Sequence, residues 1–210
     1  MRAIGIRFVT AVAVVVLVAG VALAAEESPV PLPERFEAFV MAIGGPGPAA
    51  TARIAITIER WTTPEERQTM LAALKEGGTD RLVEAMSKYT AGYLQVDNNL
   101  RWPLRSAATW RTEKGRMVRV ATDRPLSFAE ASGGFRSRDY PIGVAEFLIP
   151  TSGLGSGELL VATKIQFDKE GRLEVQSLPQ NMAPQRMTNV KLIVPKEEKK
   201  KPAEKTEAVR

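Results

Sequence analysis

Any chemistry in this chain has to be done without histidine or cysteine, because its 210 residues include neither. Ser-His-Asp and Cys-His systems therefore lack a base or a nucleophile, and zinc, copper or haem sites built on imidazole or thiolate lack their ligands. Carboxylates remain, and pairs of them can hydrolyse glycosides. Asp123, Glu130, Asp139 and Glu146 are the candidates by position, at strand ends or in the long segment between strands. Nothing in their spacing makes two of them converge, and the more usual use of such groups is a solvated carboxylate or an arginine partner. Ser-Lys catalysis is the other histidine-free route, but no Ser-x-x-Lys occurs, and Ser87 and Lys88 point apart on a predicted helix. No Walker sequence is present. Gly153-Leu154-Gly155-Ser156-Gly157 lacks the third-glycine spacing of a dinucleotide loop and lies between two strands, so it reads as a hairpin loop. No catalytic residue, metal site or cofactor is nominated.

The dense polar cluster is Arg136-Ser137-Arg138-Asp139-Tyr140-Pro141, preceded by Gly133-Gly134. Two guanidiniums in a glycine-bounded loop can grip phosphate or carboxylate bidentately, which makes Arg136 and Arg138, with Tyr140 beside them, the candidate anion site. The competing use is structural, with either arginine pairing to Asp139, Asp123 or Glu146 and fixing the loop against the sheet. Trp102 and Trp110 interleave with Arg101, Arg105 and Arg111, as in some single-strand nucleic-acid sites. A tryptophan on the inner face and arginines on the wet face explain the same pattern with no ligand.

Both ends bear on compartment and charge. Arg2 and Arg7 precede an uncharged run of 18 residues, Phe8 to Ala25, and Ala22-Leu23-Ala24 supplies the small-x-small pattern of a cleavage site just before Glu26-Glu27. A secretory leader removed near Ala25 is expected, in preference to an anchor retained as a short spanning helix. That places the mature protein in the periplasm or the medium, with no disulfide and no lipid-bearing cysteine. Lys196 to Arg210 is a Lys/Glu/Pro/Ala run without apolar periodicity and is expected to be a disordered tail. The leader holds two of the 29 Lys/Arg residues; the tail holds six, with four of the 24 Asp/Glu, so 21 basic residues face 20 acidic ones in between. A basic footprint for nucleic acid is therefore absent from the folded part.

The elements that would position these groups follow from period. Prolines at 29, 31, 33, 46 and 48 break up Glu26 to Ala52, where Phe36, Phe39, Val40 and Ile43 have the spacing of a short helix. Residues 53–195 then make one domain. Ile54, Ile56 and Ile58 alternate as a strand, and Thr63-Pro64-Glu65-Glu66 opens a helix with a capping box. Gly77-Gly78 ends that helix, and a second one follows from Thr79 or Asp80. Strands are expected around Leu94 and over residues 107–112, 117–122, 144–149, 159–167, 173–177 and 190–194, with hairpins at Glu113-Lys114-Gly115, Gly153 to Gly157 and Asp168 to Gly171. In residues 159–167, Leu159, Val161, Thr163, Ile165 and Phe167 make the core row, and Leu160, Ala162, Lys164 and Gln166 face the other way. The fold class is α+β, mainly β: a curved antiparallel sheet or partly closed barrel with a helix pair inserted after the first strand.

Ala121-Thr122-Asp123-Arg124-Pro125, Arg136 to Pro141, Ala162-Thr163-Lys164 and Met187-Thr188-Asn189-Val190-Lys191 together resemble an uncharacterised family of secreted bacterial proteins. The resemblance spans about Arg53 to Val194 and implies export and a shared fold, with no activity to carry over. The expected function is an exported, non-enzymatic envelope module that binds an envelope component or an apolar or amphipathic ligand between sheet and helices. The alternative is a carboxylate-based hydrolase acting on envelope material. Two carboxylates converging in a cleft would favour the hydrolase, and an apolar cavity without them would favour binding.

Overall fold

The structure is a computed structural model that describes residues 32–42, 50–97, 101–126, 139–168, 171–177 and 184–193. Its elements are β1 (Glu34–Ala42), β2 (Ala50–Ile58), α1 (Pro64–Met86), β3 (Gly92–Val96), β4 (Arg101–Leu104), β5 (Ser106–Thr112), β6 (Gly115–Thr122), β7 (Ile142–Pro150), β8 (Gly155–Phe167), β9 (Leu173–Ser177) and β10 (Gln185–Ile193). The ten strands form one sheet in the order β4-β3-β2-β1-β10-β8-β7-β6-β5, with β9 paired to β8 beside that path. The two end strands, β4 and β5, are separated in the chain by Arg105 alone, whose N–H donates to Ala121 O of β6 at 2.8 Å. The sheet therefore curls until its ends meet in one bent strand. The mainly-β α+β class and the curved antiparallel sheet are as the alternation implied.

Alternation builds the inside of the curl. Phe36, Ala38 and Val40 of β1, Ile54, Ile56 and Ile58 of β2, Leu94, Leu104, Val118, Val120, Phe147 and Leu159 all point inward and are buried. Phe36 and Phe147 meet edge to face across the interior, with ring centroids 5.1 Å apart, an arrangement that adds to their area burial. A second apolar cluster lies outside the curl, where Met70, Leu74, Leu82 and Met86 of α1 cover Ile142, Val144 and Ile165.

The helix starts as its sequence dictates. The Glu66 N–H donates to Thr63 Oγ1 at 3.3 Å, the Thr63 N–H donates to the Glu66 carboxylate at 3.0 Å, and Pro64 occupies the first turn. Thr62 clamps this start to β5: its N–H reaches Ala107 O at 2.9 Å, and the Ala107 N–H reaches Thr62 Oγ1 at 2.8 Å. The expected helix pair is present as one element kinked at Gly77-Gly78, where Gly78 has φ 68°. That turn lets Thr79 donate to Ile165 O at 2.6 Å, past the last β7–β8 register pair, Ile142 with Thr163.

Three expectations need correction. The helix expected around Phe36 is β1, a central strand between β2 and β10, so the sheet begins at Glu34 rather than Arg53 and the helix follows its second strand. The helical spacing of Phe36, Phe39 and Val40 misled because Phe39 points outward and is 42% exposed. The single core row expected on β8 is split by a bulge: three residues of β8 span two of β7 between Ile142 and Val144. Leu159 and Val161 stay inside the curl, while Leu160 and Ile165 both join the cluster beneath α1. A strand not anticipated, β4, contains Pro103, which an end strand tolerates because one edge needs no ladder donor.

Candidate functional site

The interior of the curl is filled by side chains, the largest of which are all but completely covered among the described residues. Its polar feature is an ion pair. Glu34, 1% exposed, receives Arg116 bidentately, NH1 to Oε1 at 3.0 Å and NH2 to Oε2 at 2.5 Å. β1 and β6 bring the two together because each lies on the inward parity of its strand, Glu34 in phase with Phe36 and Arg116 with Val118. The guanidinium also sits 5.7 Å from the centre of the Phe36 ring. A carboxylate this buried is tolerable only with such a partner.

The outer face of β6, β7 and β8 is organised differently. Three transverse rows cross it, set by strand register. The first is Trp110, Met117, Leu148 and Ser156; the second is Arg119, Glu146, Glu158 and Arg186; the third is Ala121, Val144 and Leu160, which runs under the helix. In the charged row Arg119 pairs with Glu146 through both Nε and NH2 and lies 5.0 Å from the centre of the Trp110 ring. Glu158 is the direct cross-strand neighbour of Glu146, and it makes no hydrogen bond or ion pair with any described residue. Like charges placed opposite each other in a sheet repel.

A cavity of about 160 Å³ opens on these rows. Arg119, Glu146 and Glu158 line it beside Met117, Leu148 and Leu160, and Ile165 and Val175 of the β8–β9 arm close one side. Gly157 belongs to the same wall: a Cβ there would lie 2.2 Å from Glu146 O and 2.5 Å from Phe147 Cβ, so only glycine lets β7 and β8 approach so closely. Gly155 is held to glycine in the same way, by Leu148 O at 2.2 Å. These glycines are therefore strand residues, and the β7–β8 turn is residues 151–154 rather than the Gly153 to Gly157 segment.

The sequence candidates fare unevenly. Arg136, Arg138 and Glu130 lie outside the described residues; Tyr140 is half-buried just before β7, and Asp139 is exposed. Two of the three carboxylates named as partners for the loop arginines have other arginines: Asp123 pairs with Arg105 at 2.9 Å and Glu146 with Arg119. Trp102 is buried inside the curl as expected, whereas Trp110 faces outward, 38% exposed, against Arg119. Glu158 was not among the candidates. Its signal was the turn: residue numbers that sum to 304 pair across it, 148 with 156 and 146 with 158.

The fold is thus a curled, mainly-β α+β protein with a kinked helix on one outer face and a small mixed-polarity cavity beside it. No family model, curated protein or solved structure matches the chain. Among the described residues, no helix is long and apolar enough to cross a membrane, and no three Asp or Glu residues are grouped to hold a metal ion.

Proposed function

We propose that this chain is an exported, non-enzymatic binding or interaction module of the cell envelope, and that it binds through the outer-face cavity rather than through the interior of the curled sheet. The observation that carries the reading is the contrast in filling. The interior is closed by side chains and a buried ion pair, while the cavity over β6, β7 and β8 is open and mostly apolar, with a few placed charges, the composition usual for binding sites. Export rests on the leader pattern around Ala22 and Ala24. Mass spectrometry of the protein purified from its own periplasm without denaturation tests both parts. The expected species begins near Ala25 and carries added mass that is lost when Leu148 is replaced by Trp, which fills the cavity. An intact Met1 end in a membrane pellet would refute cleavage near Ala25 and a free mature protein, and added mass unaffected by the substitution would refute the site.

A second reading, a carboxylate-based hydrolase, is favoured by one observation: Glu146 and Glu158 stand opposite each other in one cavity. Adjacent strands hold the Cβ atoms of such a pair about 5 Å apart, which lets the two carboxyls reach the roughly 5–5.5 Å separation used by retaining glycosidases. Against it, Glu146 is committed to Arg119 by two hydrogen-bonding nitrogens and would have to be released before it could act on a bond. Binding requires no such release. Turnover of envelope glycans that disappears in both Glu146→Gln and Glu158→Gln would establish the hydrolase instead.

A further inference from the structure

Resting on the cavity reading above, we propose that the site takes a primary ammonium group on a short alkyl stem. Three features of the cavity lead there. First, size: about 160 Å³ matches apolar cavities that hold a benzene-sized group and falls well below the roughly 300–1,000 Å³ of sites for drug-sized ligands. That volume suits an aliphatic stem of about four to six carbons better than the full length of a long acyl chain. Second, the walls along which such a stem would lie are aliphatic or thioether side chains, Met117, Leu148, Leu160, Ile165 and Val175.

Third, charge: two carboxylates face the cavity and a single guanidinium lines it with them. Arg119 is engaged by Glu146 and stacked near Trp110, so the carboxylate left to meet a ligand is Glu158. A cation seated between Glu158 and Glu146 removes the cross-strand repulsion as well as forming its own pair. An anion would meet both carboxylates, and a neutral head would leave the repulsion in place. An ammonium suits this position better than a guanidinium, because it is a compact point charge with three donors and needs no planar fork. Arg186, the register neighbour of Glu158 on β10, does not line the cavity, and it competes for the same carboxylate from the far side.

The same chemistry occurs in a free short amine and in a lysine side chain of a partner chain. Titrating the full-length mature protein with hexylamine, hexanol and hexanoate, followed by calorimetry, separates head-group preference from cavity filling. Hexylamine is expected to bind tightest and hexanoate weakest. Glu158→Gln, an exposed position where folding is not at stake, should weaken hexylamine about two- to fivefold and leave hexanol unchanged, while Arg186→Ala should tighten it. Nα-acetyl-lysine methylamide binding as well as hexylamine would assign the source to a lysine of a partner, and binding of hexylamine alone would assign it to a free amine. Equal or tighter binding of hexanol or hexanoate, or hexylamine affinity indifferent to Glu158→Gln, would overturn the ammonium assignment while leaving the cavity as a site. Failure of all three probes to bind would overturn the cavity itself.

Discussion

Arg116 and Arg119 are three residues apart on β6 and serve opposite purposes. Arg116 points into the curl and is matched bidentately to one fully covered carboxylate, Glu34. Arg119 points outward, where it pairs with Glu146, lies beside the exposed Trp110, and leaves Glu158, the cross-strand neighbour of Glu146, without an ion pair among the described residues. Inside, charge is balanced and space is filled, so any change there is paid in stability. Outside, Glu158 faces Glu146 across the strands with no ion pair of its own among the described residues, beside an open cavity, so a change there should alter what is bound and hardly affect folding. Solvent accounts for the difference: a dry interior cannot hold an unmatched carboxylate, whereas Glu158 is hydrated and can wait for a partner.

Several substitutions would break or sharpen this contrast. The largest effect is expected from Glu34→Ala, which removes the fully covered carboxylate that receives Arg116 bidentately and should cost about 3–5 kcal/mol. Denaturant unfolding of Glu34→Leu combined with Arg116→Met should recover most of that loss, because the pair supplies specificity more than net stability. Phe147→Ala empties the edge-to-face contact with Phe36 and is expected to cost about 3–5 kcal/mol by the same measurement. A smaller effect, about 1 kcal/mol, is expected from Thr63→Ala at the start of α1. That cap is also sensitive to acid. The hydrogen bond from Arg60 holds the Glu66 carboxyl below its usual range, so its contribution is present above the ordinary carboxylate pKa and fades as pH falls through the lowered value. The melting difference between the parent and Glu66→Gln should accordingly shrink on acidification. The smallest effect is expected outside: Trp110→Ala should change unfolding free energy by no more than about 0.5 kcal/mol. A loss there as large as at Phe147 would erase the distinction between the two faces.

Much of the fold was legible in the chain. Ile54, Ile56 and Ile58 announce a half-buried strand, and Thr63 to Glu66 announces a capped helix, because both signals are local and the tertiary structure does not override them. Phe36 to Met41 misled because two of its outward residues, Phe39 and Met41, are apolar and hide the alternation. On β8, one extra residue reverses the faces of everything after it, and no composition marks where a bulge falls. The cavity was partly within reach. Glu146 was a candidate, but its partner depends on the centre of the β7–β8 turn, and the glycines that look like turn residues are held in the strand by Leu148 O and Glu146 O. Reading Gly155 as turn rather than strand moves the register by several residues and separates Glu146 from Glu158.

The division between a closed interior and a binding outer face can be tested most directly by methyl NMR of the mature protein titrated with hexylamine. Shifts are expected at Met117, Leu148, Leu160, Ile165 and Val175, which line the cavity, and none at Ile54, Ile56, Ile58 or Leu94, which fill the curl. Shifts concentrated on the interior methyls, with the cavity set unmoved, would contradict it.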